Sequence, residues 1–131
     1  MKVFHYINFL IIFLFLIAIC IVEELLVSSA LENVQNYCFE IENYISDKES
    51  LKENQIVLMV DNLEFDWTED ESKLCYLVNH ISIKELSYEI SHLKAYISND
   101  DIVEFKAALD AIVMYCHSYL HFMGANVYNI L

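Results

Sequence analysis

The chain contains no proline, and its only glycine is Gly124. Turns that need a positive φ, or a φ fixed near −65°, therefore have almost none of the residues that usually form them. β-Sandwiches and β-barrels depend on many such turns, whereas helices joined by short polar loops do not. The composition of the 131 residues thus excludes most all-β architectures and predicts an all-α fold.

Positive charge is also scarce, and arginine is absent. Seven lysines accompany twenty acidic residues, which gives a net charge of −13. All twenty acids lie at or after Glu23, and only Lys2 among the lysines precedes that position, so residues 23–131 carry six lysines and a net charge of −14. Such a surface repels phosphate backbones and anionic headgroups. We therefore expect no nucleic-acid binding.

The sequence has one long hydrophobic run, at residues 9–22, with fourteen consecutive apolar residues. Counted from Val3, a helix of about twenty residues would span ~30 Å, the thickness of a hydrocarbon core. This predicts an uncleaved signal-anchor at residues 1–24, with lipid contact through residues 3–24. Because Lys2 precedes the run and acids follow it, the positive-inside rule places residues 25–131 outside the cell membrane as an extracytoplasmic domain.

Three other interpretations of this run stay open. A cleavable signal peptide would be cut near Ala30, at the small residues 28–30, but residues 23–27 separate that site from the run and favour a continuing helix. A lipoprotein would use Cys20, although Ile19, directly before it, is not the small residue expected there. A buried helix of a soluble protein is the third, but a long run without a polar face is more typical of lipid contact.

Apolar residues recur at alternating intervals of three and four along the rest of the chain, which places each set on one face of a helix. The first set continues from the hydrophobic run, so one helix from about Val3 to Ile45 is expected. Short loops make successive helices antiparallel neighbours, which predicts a bundle of about four helices. The sets are Val27, Leu31, Val34, Cys38, Ile41 and Ile45; Ile56, Val60, Leu63 and Trp67; Ile83, Leu86, Ile90, Leu93 and Ile97; and Ile102, Phe105, Leu109, Ile112, Cys116, Tyr119 and Met123.

Polar segments predict the helix boundaries. Residues 50–53 (SLKE) and 82–85 (SIKE) have the capping-box spacing, in which a hydroxyl and a glutamate each satisfy a free N–H. They predict the starts of the second and third helices, with residues 79–81 as the turn between them. Residues 98–101 are predicted to end the third helix and cap the fourth. At residues 68–71 the second apolar set lapses, so either one helix crosses that point or a kink lies there.

Several short motifs occur in a distinctive order. The N-terminal apolar helix is followed by Trp67 near the middle, by Asn79-His80 after an apolar segment, and by Glu85-Leu86 in the next helix. Residues 93–97 (LKAYI) then precede an Asp-rich break, and the chain closes with NIL. Over its whole length the chain thus resembles a family of short, mostly clostridial Firmicute proteins, the domain of unknown function DUF4363. The resemblance implies a membrane-anchored helical protein and brings no established activity.

His117 and His121 are the candidate metal ligands, because two histidines at i, i+4 can bind one metal ion, and Cys116 lies beside them. A zincin would also need a glutamate directly after the first histidine, where Ser118 stands. No third ligand is nearby in the sequence. We favour the alternative in which Cys116 packs in the core, the histidines lie at its edge, and no cofactor is bound.

Two other residues are given structural roles. His80 is predicted to cap carbonyl groups at the C-terminal end of the second helix, with pH or ligand sensing as the alternative. Trp67 is predicted to be a core anchor, with an exposed binding platform ringed by acids as the alternative. The acids around it, Asp66, Glu69, Asp70 and Glu71, lack the glycine and the alternation of a calcium loop.

No set of serine, cysteine and histidine residues has the features of a catalytic triad, and no glycine loop could hold a phosphate, so a non-enzymatic protein is expected. Cys38, Cys75 and Cys116 could supply one disulfide outside the cytoplasm, or serve as ordinary core residues. The expected function is that of a membrane-anchored interaction or accessory subunit with a protein partner that the sequence does not identify. The alternatives are a secreted helical binding domain released near Ala30 and, third, a metal-binding protein using the two histidines.

Overall fold

The computed structural model describes the backbone of residues 2–77 and 80–128, and the side chains of residues 6–77 and 83–121. Within these ranges the chain forms four helices and no strand. The helices are α1 (Lys2–Ile45), α2 (Asn54–Leu74), α3 (His80–Asn99) and α4 (Ile102–Tyr128). Helices α1 and α3 each pack against both α2 and α4, which closes a ring of four. The predicted all-α fold, a long first helix that continues into a helical bundle, is confirmed.

Helix α1 is 44 residues long and joins the hydrophobic run to the core without a break. Residues 6–22 are exposed on all sides of the helix. From Val27 onwards one face of the same helix is buried against α2 and α4. Among the described residues, this is the one helix that is long and apolar enough to cross a membrane, judged by length and composition.

The core of the bundle is formed by the predicted apolar sets. Almost every inward position is buried, and the described side chains include no buried polar or charged residue. Ile97, Ile102 and Tyr119 are only partly buried and pack at the edge of the core, and Met123 lies outside the described side chains. The largest fully buried side chains include Phe105, Ile41, Ile45, Leu51, Ile56, Leu63 and Leu86.

The predicted capping box at residues 50–53 is wrong. Helix α2 begins at Asn54, and the preceding residue, Glu53, makes no side-chain cap. The Glu53 carboxylate instead accepts hydrogen bonds from Lys48 (2.8 Å) and Tyr44 (2.9 Å), which lower its pKa. The Ser50 hydroxyl donates to the carboxylate of Asp100, at the start of the α3–α4 connection. Both residues of the predicted box therefore bond to groups outside the first turn of α2.

The turn between α3 and α4 follows the predicted break. Asp100 has a φ of 56°, in the left-handed region that usually takes glycine at the end of a helix. The Asp101 carboxylate accepts a hydrogen bond from the N–H of Glu104 at 3.2 Å, so the predicted cap of α4 is confirmed. Because the Asp100 carboxylate also accepts the N–H of Leu51 at 2.7 Å, it ties the α1–α2 connection to the α3–α4 turn.

We expect Asp100→Ala to lower the melting temperature more than Asp100→Gly, and Asp100→Asn to lower it least. Alanine loses the carboxylate and strains the left-handed backbone, glycine loses only the carboxylate, and asparagine keeps an acceptor and tolerates this φ. The measurement is a series of thermal melts at pH 7, with the exposed Glu49→Gln as the control. A glycine variant as stable as the wild type would contradict the importance of the carboxylate.

The stabilisation by the hydrogen bonds from Leu51 and Ser50 to the Asp100 carboxylate should depend on pH. Hydrogen bonds from Leu51 and then Ser50 hold the pKa of the Asp100 carboxyl below its ordinary value. Because the folded pKa is lowered, the stabilisation is complete above the unfolded pKa and is lost as the pH falls through the folded pKa. The difference in melting temperature between the wild type and Asp100→Gly should therefore shrink below about pH 4.

The region between α2 and α3 differs from the prediction at the start of α3. Helix α3 begins at His80, so His80 and Ile81 belong to the helix and Ser82 does not open it; the capping box predicted there is wrong. Helix α2 crosses residues 68–71 as one continuous helix and ends at Leu74, which decides between the two alternatives. The side chain of His80 lies outside the described side chains, so its predicted capping role stays a prediction.

Candidate functional site

Trp67 lies in the core between α2 and its neighbours, with 3% of its surface exposed. Its indole N–H donates to the Ser87 hydroxyl of α3 at 2.8 Å, and that hydroxyl donates to the carbonyl of Ile83 at 3.1 Å. Val27 and Tyr115 are among the residues that line a small apolar cleft beside the ring. The predicted inward orientation is confirmed, and the exposed platform is excluded. The size of its contribution to stability stays a prediction.

The acids around Trp67 have partners of their own. The Asp66 carboxylate accepts a hydrogen bond from the Tyr37 hydroxyl of α1, and this bond, together with burial, raises the pKa of Tyr37. Asp70 forms an ion pair with Lys73 at 3.0 Å. The described side chains contain no group of three or more His, Cys, Asp or Glu residues that could hold a metal ion. At least two of the four acids therefore act as local or interhelical hydrogen-bond acceptors.

The structure separates Cys116 from the other two candidate metal ligands. Cys116 is fully buried in the core, whereas His117 and His121 are exposed. Burial raises the pKa of the Cys116 thiol to about 12, so it remains protonated at neutral pH and offers no thiolate to a metal. Cys116 therefore packs in the core as predicted, and both histidines are exposed rather than at the edge of the core.

Cys38 of α1 is buried in the same layer as Cys116 of α4. Burial raises the pKa of the Cys38 thiol to about 12, and the neighbouring Cys116 adds to the effect. All four cysteines are free thiols in the structure. Cys75, at the C-terminal end of α2, is partly exposed.

We expect a maleimide reagent to label Cys75 of the folded protein far faster than Cys38 or Cys116. A thiol with a pKa of about 12 carries on the order of 10³ times less thiolate than one near 8.5, and burial also blocks access. Peptide mass spectrometry measures the rate at each site, and denaturant should remove the difference. Equal rates in the folded protein would contradict the buried placement.

The outer face of α2 carries an apolar pair that the sequence analysis missed. Leu58 and Phe65 lie two turns apart, and both are exposed, Phe65 by 65%. Beside them, Lys94 of α3 forms ion pairs with Asp61 (2.8 Å) and with Glu64, which raise its pKa. Phe65, these three charged residues, Thr68 and Glu69 line an open groove, here called the α2–α3 groove. The sequence signal that could have indicated this surface is the seven-residue spacing of Leu58 and Phe65, which places both on one face of α2 outside the predicted core set.

Exposed apolar residues also gather where the bundle meets the hydrophobic part of α1. Tyr76, just after α2, is 91% exposed, and Leu25 and Leu26 of α1 are exposed as well. Burial raises the pKa of the Tyr119 hydroxyl, and the negative charge of Glu23 adds to this, so α4 passes near the end of the hydrophobic run. This end of the bundle combines an apolar surface with a position next to the candidate membrane segment.

Comparison with known proteins identifies one relationship. The family model described as "Domain of unknown function (DUF4363)" matches residues 21–130. The match covers the bundle and the part of α1 that belongs to the core. No match was found among curated proteins or among solved structures.

Proposed function

The chain belongs to the DUF4363 family, as the resemblance of its motifs predicts, and from this premise we propose that it is a single-pass membrane-anchored interaction or accessory subunit without catalytic activity. Residues 1–24 would form the anchor in the cell membrane, and residues 25–131 an acidic helical domain outside the cytoplasm. Partner recognition would then take place on the surface of the bundle.

The main support for a membrane anchor is the difference in burial between the two parts of α1. Residues 6–22 are apolar except for Asn8 and are exposed on all sides, and no described part of the chain covers them. Each exposed CH₂ group costs about 0.8 kcal/mol relative to an apolar environment, so this surface is unfavourable in water. A bilayer would cover it and would leave the core-forming part of the same helix outside.

The packing of α1 also favours an uncleaved segment over the secreted alternative. Ala30, after which a signal peptidase would cut, is only 5% exposed, and Val27 only 2%. Both contribute to the core on a continuous helix. Cleavage after Ala30 would remove both side chains from the core, and a peptidase needs an extended chain at that point.

The α2–α3 groove supports the interaction part of the proposal. Its exposed Phe65 lies beside carboxylates of Asp61, Glu64 and Glu69, of which the first two share one lysine, and the exposed Leu58 lies two turns earlier on α2. An apolar pair of this kind, rimmed by negative charge, suits a protein partner that presents an apolar side chain flanked by lysine or arginine. The absence of a triad or a phosphate-binding loop in the sequence supports the non-catalytic part.

The intact mass of the protein extracted from membranes tests the anchor directly. Retention of the full chain is expected. Loss of about thirty N-terminal residues would instead support the second candidate function, the secreted binding domain.

Protease treatment of protoplasts tests the orientation. The bundle should be degraded together with a marker protein on the outer surface, while a cytoplasmic marker stays intact. Protection of the bundle while the outer marker is cut would show that the orientation is wrong.

Crosslinking in native membranes tests the groove. We expect the set of crosslinked proteins to be lost with Phe65→Ser and kept with Tyr88→Ser, a matched exposed aromatic on α3. Equal crosslinking by both variants would place partner binding elsewhere. Both variants should melt like the wild type, because neither side chain is in the core.

A further inference from the structure

The last part of the chain has an unusual charge pattern. Residues 111–131 contain no Asp, Glu, Lys or Arg, although residues 23–110 hold all twenty acids of the protein. The segment contains two histidines, His117 and His121. Tyrosines also occur here, including Tyr128, and tyrosine is enriched where proteins meet the membrane–water boundary.

The packing of α4 on α1 sets how far this segment reaches. The side-chain amide of Gln35 donates to the carbonyl of Val113 at 3.4 Å, which fixes the register of the two antiparallel helices. Both helices rise ~1.5 Å per residue. About fifteen residues from this bond, towards the start of α1 and the end of α4, Cys20 therefore lies level with Tyr128. The last turn of α4 is therefore level with the last turn of the hydrophobic run.

The α2–α3 connection reaches the same end of the bundle. The hydrogen bond from Tyr37 to Asp66 fixes the register of α1 and α2. Counted in the same way, Leu74 at the end of α2 is level with Ser29, about two turns from the run, and Tyr76 follows two residues later. Tyr76, Leu25 and Leu26 are all exposed there. Several exposed apolar groups thus lie at this end of the bundle, next to the segment assigned to the membrane.

We propose that this end of the bundle docks on the bilayer that α1 crosses, with the last two turns of α4 in the interface of neutral, zwitterionic lipids. The proposal rests on the proposed function, because it requires α1 to span the membrane. Because residues 111–131 contain no Asp, Glu, Lys or Arg, this end of α4 can enter the interface without the cost of burying one of those charges. Glu23 and Glu24, at the same boundary, disfavour anionic headgroups. Docking is therefore driven by apolar burial and is insensitive to salt.

Nitroxide labels in the full chain, reconstituted in phosphatidylcholine vesicles, test this docking. The background carries Cys20→Ala and Cys75→Ser, and single labels are placed by Asn126→Cys near the end of α4, Phe15→Cys in the hydrophobic run, and Val103→Cys at the far end of α4. Collision rates with oxygen, which concentrates in lipid, and with a water-soluble nickel complex report the surroundings of each label. The oxygen-to-nickel ratio at position 126 should exceed that at position 103 several-fold, at both low and high salt.

The three positions separate the failure of this inference from the failure of the anchor. A lipid-like ratio at position 15 with a water-like ratio at position 126 overturns the docking and leaves the anchor in place. A water-like ratio at position 15 overturns both. A ratio at position 126 that falls to the water value at high salt overturns docking on neutral lipid. A second label at Val127→Cys repeats the measurement if the variant at position 126 does not fold.

Discussion

Trp67→Ala is expected to lower the free energy of unfolding by ~3–5 kcal/mol, the range for removing a buried tryptophan from a core. Small domains are stable by only about 5–15 kcal/mol, so much of the bundle would unfold. The ring is 3% exposed, and its N–H is satisfied by Ser87. The substitution therefore leaves a cavity and removes the one hydrogen bond that the indole makes across to α3.

Two variants separate the parts of this effect. Trp67→Phe keeps most of the ring volume but loses the N–H, so it should cost less than alanine. Phe65→Ala, two residues earlier and largely exposed, should change stability by less than ~0.5 kcal/mol. Urea unfolding measures all three. Because Trp67 is the only tryptophan, its emission should be blue-shifted and poorly quenched by iodide; stability retained in Trp67→Ala would overturn its role in the core.

A bundle that starts at Leu31 is expected to be less stable than one that starts at Leu25 by about 2–4 kcal/mol. The shorter chain lacks Val27 and Ala30, both buried, and burial of a valine side chain and a methyl group contributes roughly this amount. Urea unfolding of the two soluble fragments gives the difference. Leu26→Ala in the longer fragment is the control, because that side chain is exposed. Equal stability would remove the packing argument against cleavage after Ala30.

Much of the fold could be predicted from the sequence because helical periodicity reports directly which face of each helix is buried. The helix ends were harder. Ser50 and Glu53 have the spacing of a capping box, but spacing shows only which hydrogen bonds are possible between neighbours in the sequence. In the folded chain Ser50 donates to Asp100 and Glu53 accepts from Lys48 and Tyr44. The first of these partners is fifty residues away, and nothing near Ser50 encodes it.

The candidate site, too, could be predicted from the sequence only in part. The inward position of Trp67 followed from its step with Leu63 and Val60, but its partner Ser87 lies on another helix and has no sequence signal. The separation of Cys116 from the two histidines was predicted, since residues adjacent on a helix point in different directions. The α2–α3 groove was missed because Phe65 and Leu58 lie outside the core set, where an exposed apolar residue carries little information.

The continuity of α1 has a mechanical consequence for the proposed membrane protein. No proline or glycine interrupts the helix, so it has neither of the residues that commonly form a hinge between span and bundle. Hydrophobic spans adapt to bilayer thickness by tilting, commonly by about 20°. From Glu24 to Ile45 the helix extends ~32 Å, so such a tilt would move the far end of the bundle sideways by roughly 11 Å. Bilayer thickness would then set how the α2–α3 groove is presented to a partner.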